Sequence, residues 1–227
     1  MKGRMIEFNT SNGQVFSGYL SIPEKGKGPG AIVLQEWWGL VDHIKQVCDR
    51  LAAFGFTALA PDMYKGEQTD SPDQADRLMM ALGIDESEQI LQGAIKALLA
   101  NQACTSKKVG TVGFCLGGQL SLYAAAADPD MVSACVDFYG IHPNVNPPIE
   151  NIKAPVLGFF GEKDPYVTME AVRELKKNLD DAGKTAIFYT YPDADHAFFN
   201  DTDPNYHQQA AEDAWRHLRQ FLAENIS

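Results

Sequence analysis

The chain has 227 residues, 45% hydrophobic and 22% charged, a balance that suits one globular domain over residues 1–227 and excludes a disordered chain. Thirty acidic residues stand against 19 basic ones, for a formal charge of −11; such a surface repels phosphate backbones and anionic membrane faces, so neither nucleic acid nor membrane is an expected partner. No apolar run reaches the roughly 18 residues of a membrane helix, no secretory signal is visible at the start, and Cys48, Cys104, Cys115 and Cys135 lack paired or zinc-like spacing, which points to reduced thiols in a cytoplasmic protein without a metal.

Taken in chain order, residues 5–10 and 15–22 read as two strands of a hairpin turned at Asn12-Gly13. A Gly/Lys/Pro loop over 23–30 leads to a short apolar strand at 31–35, covered on both faces to judge by its lack of alternation. A helix over 41–54 stops at Gly55, and a second buried strand follows at 56–60. Residues 68–83 turn from polar to helical, and 86–100 form an amphipathic helix with Ile90, Leu91, Ala94, Ile95, Leu98 and Leu99 on one face. Strands at 109–114, 134–139, 156–160 and 186–191 then alternate with helices at 117–127, 169–182 and 206–224. After one antiparallel hairpin, this alternation predicts a three-layer α/β/α architecture around a doubly wound, mostly parallel sheet. Sites in such sheets lie beyond the carboxyl ends of the strands.

Those ends carry the reactive residues. The run Gly113-Phe114-Cys115-Leu116-Gly117-Gly118 lies between strand and helix, the setting of a nucleophile elbow with sulfur in place of the usual hydroxyl. A sharp turn there leaves no room for side chains two positions either side of Cys115, and the helix N-terminus behind it favours a thiolate. Taken alone, the motif equally fits an inert buried cysteine. Gly161-Glu162-Lys163-Asp164 follows the strand at 156–160, and Asp195-His196-Ala197-Phe198 follows the strand at 186–191. Nucleophile, acid and histidine thus fall at three strand ends in the order expected of an α/β-hydrolase. Gln35-Glu36-Trp37-Trp38-Gly39 ends the strand at 31–35; the amides of Trp37 and Leu116 are the candidate oxyanion hole. Glu36, beside an apolar strand end, needs a partner. Trp38, Tyr64, Tyr139, Phe198 and Phe199 are the candidate pocket wall. His43, His142, His207 and His217 show no pairing pattern and read as surface or capping residues, and the aspartates around His196 as solvated loop charges.

Together these four motifs resemble the dienelactone hydrolase family (carboxymethylenebutenolidases), over almost the whole chain. The resemblance implies an α/β-hydrolase fold, a triad of Cys115, His196 and Asp164, a role for Glu36 in handling the thiol proton, and no metal or cofactor. It also implies a carboxylic ester hydrolase that opens an enol-lactone to maleylacetate through a thioester. The partner would be a small ester or lactone, and the protein a monomer or weak homo-oligomer. One departure bears on substrate. The family pattern places a carboxylate-binding arginine four residues beyond the histidine, and here that residue is Asn200. A second arginine is missing from Ser71-Pro72-Asp73-Gln74, with Arg77 the nearest substitute. Asparagine matches neither the charge nor the fork of a guanidinium, so the machinery carries over better than the substrate. A catalytically silent ester-binding protein and a thiol redox sensor remain the alternatives.

Overall fold

A computed structural model describes residues 3–142 and 146–226. Strands β1 (Arg4–Asn9) and β2 (Val15–Ser21) form the antiparallel hairpin. Then follow β3 (Gly28–Leu34), α1 (Asp42–Ala53), β4 (Thr57–Pro61), α2 (Pro72–Ala81) and α3 (Ile84–Ala100). The second half holds β5 (Cys104–Phe114), α4 (Leu116–Ala127), β6 (Val132–Phe138), β7 (Val156–Gly161), α5 (Met169–Asp181), β8 (Ala186–Tyr191) and α6 (Gln208–Asn225). All eight strands belong to one sheet in the order β1-β2-β4-β3-β5-β6-β7-β8. From β4 to β8 every pairing is parallel, and only β1 and β2 run against their neighbours.

Two strands start earlier than their composition suggests. Gly28 pairs with Cys104 across a register shift before the regular ladder of β3 and β5 begins at Gly30 and Val109. The Gly-Pro-Gly start of β3 and the lysines of β5 give these segments the look of loops, but pairing with an existing sheet overrides local propensity. A one-turn 3-10 helix at Ile149–Asn151 has no periodicity to announce it.

Because side chains alternate across a strand, each central strand feeds two cores. Ala31 and Val33 of β3 face α1 and α6, together with Val112 of β5 and Val136 of β6. Ile32 and Leu34 face the other way, toward α3, α4 and α5. The continuous apolar runs in the sequence follow from this double burial.

The register also builds an aromatic row under the carboxyl end of the sheet. Phe114 pairs with Phe138, Phe138 with Phe159, and Phe159 with Tyr189. Their rings stack in turn at centroid distances of 4.7, 4.6 and 5.7 Å. Phe199, from the loop after β8, lies on this row at 5.3 Å from Phe114 and 4.6 Å from Phe138. Four strand ends and one loop are thereby held by a single packed layer. Phe138→Ala is expected to cost about 3–5 kcal/mol, read as a lower urea midpoint at unchanged slope, the largest loss of any single ring in the row.

Candidate active site

The turn from β5 into α4 places Cys115 at φ 53° and ψ −117°, a region that L-residues seldom occupy. The surrounding backbone dictates this. Cys115 N–H donates to the Phe138 carbonyl at 2.9 Å, and the Cys115 carbonyl accepts from Gly118 N–H at 2.9 Å. A Cβ on Gly113 would sit 1.8 Å from the Gly117 carbonyl oxygen, and one on Gly118 would sit 2.1 Å from Asp137 Oδ1. Strand and helix therefore approach more closely than side chains allow, and the residue between them is pushed outward. Among the described residues, four non-glycine residues have positive φ: Lys65, Cys115, Tyr139 and Ala197. The last three line one cavity, so backbone strain is concentrated there.

His196 stands beside Cys115. Its Nδ1 lies 2.7 Å from Asp164 Oδ2, and it lines the same cavity as Cys115. Asp164 is fixed in turn, since Oδ1 accepts from the backbone N–H of Tyr166 at 2.8 Å and of Val167 at 2.9 Å. The loops that carry the two residues are clamped by Lys163 N–H donating to the Ala194 carbonyl at 3.0 Å. Burial works against a proton on His196, but the bonds to Asp164 and Cys115 and the negative charge of both outweigh it and raise the imidazole to about 10.

Glu36 is 2% exposed and has two neutral donors, Tyr139 Oη–H at 3.3 Å and Asn200 Nδ2–H at 3.1 Å. Burial pushes its carboxyl up to about 7, against the pull of His196 and these two bonds. A buried carboxylate on a cavity wall and titrating near neutrality is a mark of functional sites. Asn200, which stands where the arginine was expected, is itself buried and bonds Glu36 rather than opening onto the cavity.

A cavity of about 280 Å³ opens over these groups, walled by Glu36, Trp37, Trp38, Cys115, Leu116, Tyr139 and His196 among others. Leu116 is the first residue of α4, where a backbone N–H has no intrahelical acceptor. Three expected wall residues lie elsewhere. Phe198 and Phe199 are fully buried behind the site, Phe199 on the aromatic row and Phe198 against Tyr139 and Tyr191; they anchor the loop that carries His196. Tyr64 is buried among core residues near Leu116 and off the wall. Arg77 is exposed and likewise off the wall, so it does not stand in for the missing arginines.

Other wall residues were not singled out from the sequence. Tyr166 and Val167 lie two and three residues beyond Asp164, and Ile141 and His142 two and three beyond Tyr139, so closeness to strand-end residues was the available signal; His142, expected at the surface or as a cap, lines the cavity. Asp203 and Asn205 belong to the loop read as solvated charge, and Met79 comes from α2 without any local signal. Two more expectations need correction. His43 is buried rather than on the surface, its Nδ1 lying 3.6 Å from Asp201 Oδ1 behind the His196 loop; burial holds it neutral, well below the ordinary histidine value, despite Asp201. His217 is partly buried and stacks on Tyr189 at 3.9 Å. His207 does cap α6, accepting from Ala210 N–H at 3.3 Å.

A strained elbow at the centre of a mostly parallel sheet, with further reactive groups at later strand ends, defines the α/β-hydrolase fold, and this chain has it. Within that class it belongs to the dienelactone hydrolase family, whose model matches residues 16–226. It is 38% identical over 232 residues to "Protein usf" of Aquifex pyrophilus, covering 99% of this chain and 100% of that one. It is also 38% identical over 220 residues to a protein of Aquifex aeolicus named "Putative carboxymethylenebutenolidase", covering 94% of each. Among solved structures, the "Putative Dienelactone Hydrolase" of Klebsiella pneumoniae superposes with a TM-score of 0.84 at 29% identity, over 97% of this chain and 99% of that one.

Replacing Asn200 by leucine removes a donor that favours the ionised form of Glu36. The Glu36 carboxyl is expected to titrate above its present value of about 7, seen as an alkaline displacement of its carbon resonance in a pH series on selectively labelled protein.

Proposed function

We propose that this protein hydrolyses carboxylic esters or lactones through a thioester on Cys115. The observation that carries the reading is the position of His196, bonded to Asp164 at 2.7 Å and sharing one cavity wall with the strained Cys115. Such an arrangement makes a nucleophile and holds the proton its leaving group needs.

In the reactive state the thiol proton is shared between His196 and Glu36, leaving a thiolate beside an imidazolium. The sulfur attacks the carbonyl carbon, and the N–H groups of Trp37 and Leu116 receive the oxyanion; one such donor is worth about 3–4 kcal/mol. Collapse breaks the C–O bond, and His196 protonates the departing alkoxide or enolate. Acylation removes the sulfur's negative charge and its bond to His196, two of the influences that raise the imidazole. Its affinity for a proton therefore falls at the moment it must act as a base. It then takes a proton from water, whose oxygen attacks the thioester, and collapse releases the acid and restores the thiolate–imidazolium pair. A thiolate leaves more readily than an amide nitrogen, so activated esters and enol-lactones suit this site and amides do not.

The wall charges narrow the substrate. Glu36 and Asp203 face the cavity, and no lysine or arginine lines it among the described residues. The reading is therefore of a neutral ester or lactone, in departure from a carboxylate-bearing dienelactone.

Hydrolysis of p-nitrophenyl acetate is expected in the wild type and reduced at least about 10³-fold in Cys115→Ala. A folded wild type without activity would count against the esterase reading and favour a silent ester-binding protein. Mono-p-nitrophenyl succinate carries the same leaving group and an added carboxylate. Its kcat/KM is expected to be about tenfold lower than that of the acetate at low salt, because like charges face each other across the wall, and the gap should narrow as salt is added. Equal rates would remove the charge argument while leaving the nucleophile in place.

A further inference from the structure

A second cavity, of about 300 Å³, lies against the first. The two have Met79, Leu116 and His142 in common, so the side chains that close one side of the catalytic chamber open onto the other. The remaining walls come from α3, α4 and the turn between α2 and α3, with Leu82, Leu120 and Tyr123 prominent. Its polar groups have their partners within the chain. Ser87 Oγ–H donates to the Gly83 carbonyl at 2.9 Å, and Tyr123 Oη–H donates to Glu88 Oε2 at 3.0 Å. Apart from His142, where the two cavities meet, what faces the space is mostly hydrocarbon and thioether. At its rim stand Met80, 70% exposed, and Ile84, 52% exposed, two large apolar side chains left in solvent beside a concave apolar wall.

We propose that this side cavity receives an unbranched apolar arm of the ester whose carbonyl is attacked by Cys115, an inference that rests on the esterase reading above. Leu116 supports it by position. This residue follows the nucleophile directly, its side chain belongs to both cavities, and a chain attached to the reacting carbon therefore passes it on the way to the side cavity. Methionine walls adapt to chains of differing length at little cost, and Met79 stands at the junction with Met80 at the rim. A single charged lining group would oppose a hydrocarbon arm, and the side cavity has no Asp, Glu, Lys or Arg among its described lining residues. The arm belongs either to the acid or to the alcohol of the ester, with the same demand on the cavity.

Two series of esters separate these sources: p-nitrophenyl alkanoates from acetyl to octanoyl, and alkyl acetates from ethyl to octyl. In the wild type kcat/KM is expected to rise at least about tenfold along one series, since each methylene removed from water contributes up to about fourfold. The series that responds assigns the arm. Leu82→Trp fills the cavity from a partly exposed position, and is expected to lower the long-to-short ratio at least tenfold in that series. Leu82→Ala is expected to displace the optimum toward longer chains. Flat profiles in both series, or a ratio unchanged in a folded Leu82→Trp variant, would overturn the proposal while ester hydrolysis itself persisted. Should the wild type hydrolyse no ester, the catalytic reading fails by itself. Calorimetric titration with octanamide then tests the cavity separately: binding lost in Leu82→Trp supports an apolar subsite, and no binding to the wild type refutes it.

Discussion

The close approach of β5 to α4 is the constraint on which the site depends. With no side chain at 113 the two elements meet backbone to backbone, and Cys115 is left with a positive φ. Such a conformation costs of order 1–3 kcal/mol and persists because the hydrogen bonds to Phe138 and Gly118 hold both sides of the turn. The same geometry puts the sulfur at a helix N-terminus and the following amide beside it. Strain, the proposed nucleophile and the proposed oxyanion donor thus share one backbone origin.

The aromatic row complements this. It spans the ends of β5 to β8 and takes Phe199 of the His196 loop onto its surface. A loop is ordinarily the most mobile part of a fold. Here it is tied from below by Phe199, from behind by His43 and Asp201, and laterally by Ala194 to the Asp164 loop. Preorganisation of this kind keeps His196 in register with Asp164, as the proposed reaction requires.

Electrostatically the site is unusual for a chamber that would take an anion. Two carboxyl groups face it, and Asn200 occupies the place where an arginine would have supplied positive charge. Asn200 donates a hydrogen bond to Glu36 and carries no charge. Burial pushes the Glu36 carboxyl up to about 7, which under the proposed mechanism makes its proton available for exchange with the sulfur and His196. In the proposed function this one position thereby bears on both the acid–base chemistry and the preferred charge of the ligand.

Much of this was legible in the residues. Alternating apolar runs and amphipathic segments give the order of strands and helices, because periodicity reflects burial directly. The glycines around Cys115 mark an elbow, because that turn excludes side chains. Asp164 and His196 are marked by their place just beyond strand ends. The strand starts at Gly28 and Cys104 were hidden, since pairing across the sheet and not local composition decides them. Phe198 and Phe199 were read as pocket wall because adjacency to His196 says nothing of direction; the loop turns them inward onto the aromatic row. Met79 and the side cavity had no signal at all, as they arise where α2, α3 and α4 happen to meet. The sequence alone thus determined the class of fold and the residues able to react, both written in local spacing and chemical type. Only tertiary structure decided which side chains face the chamber, how Glu36 is held and where the side cavity lies, because these depend on distances between segments far apart in the chain.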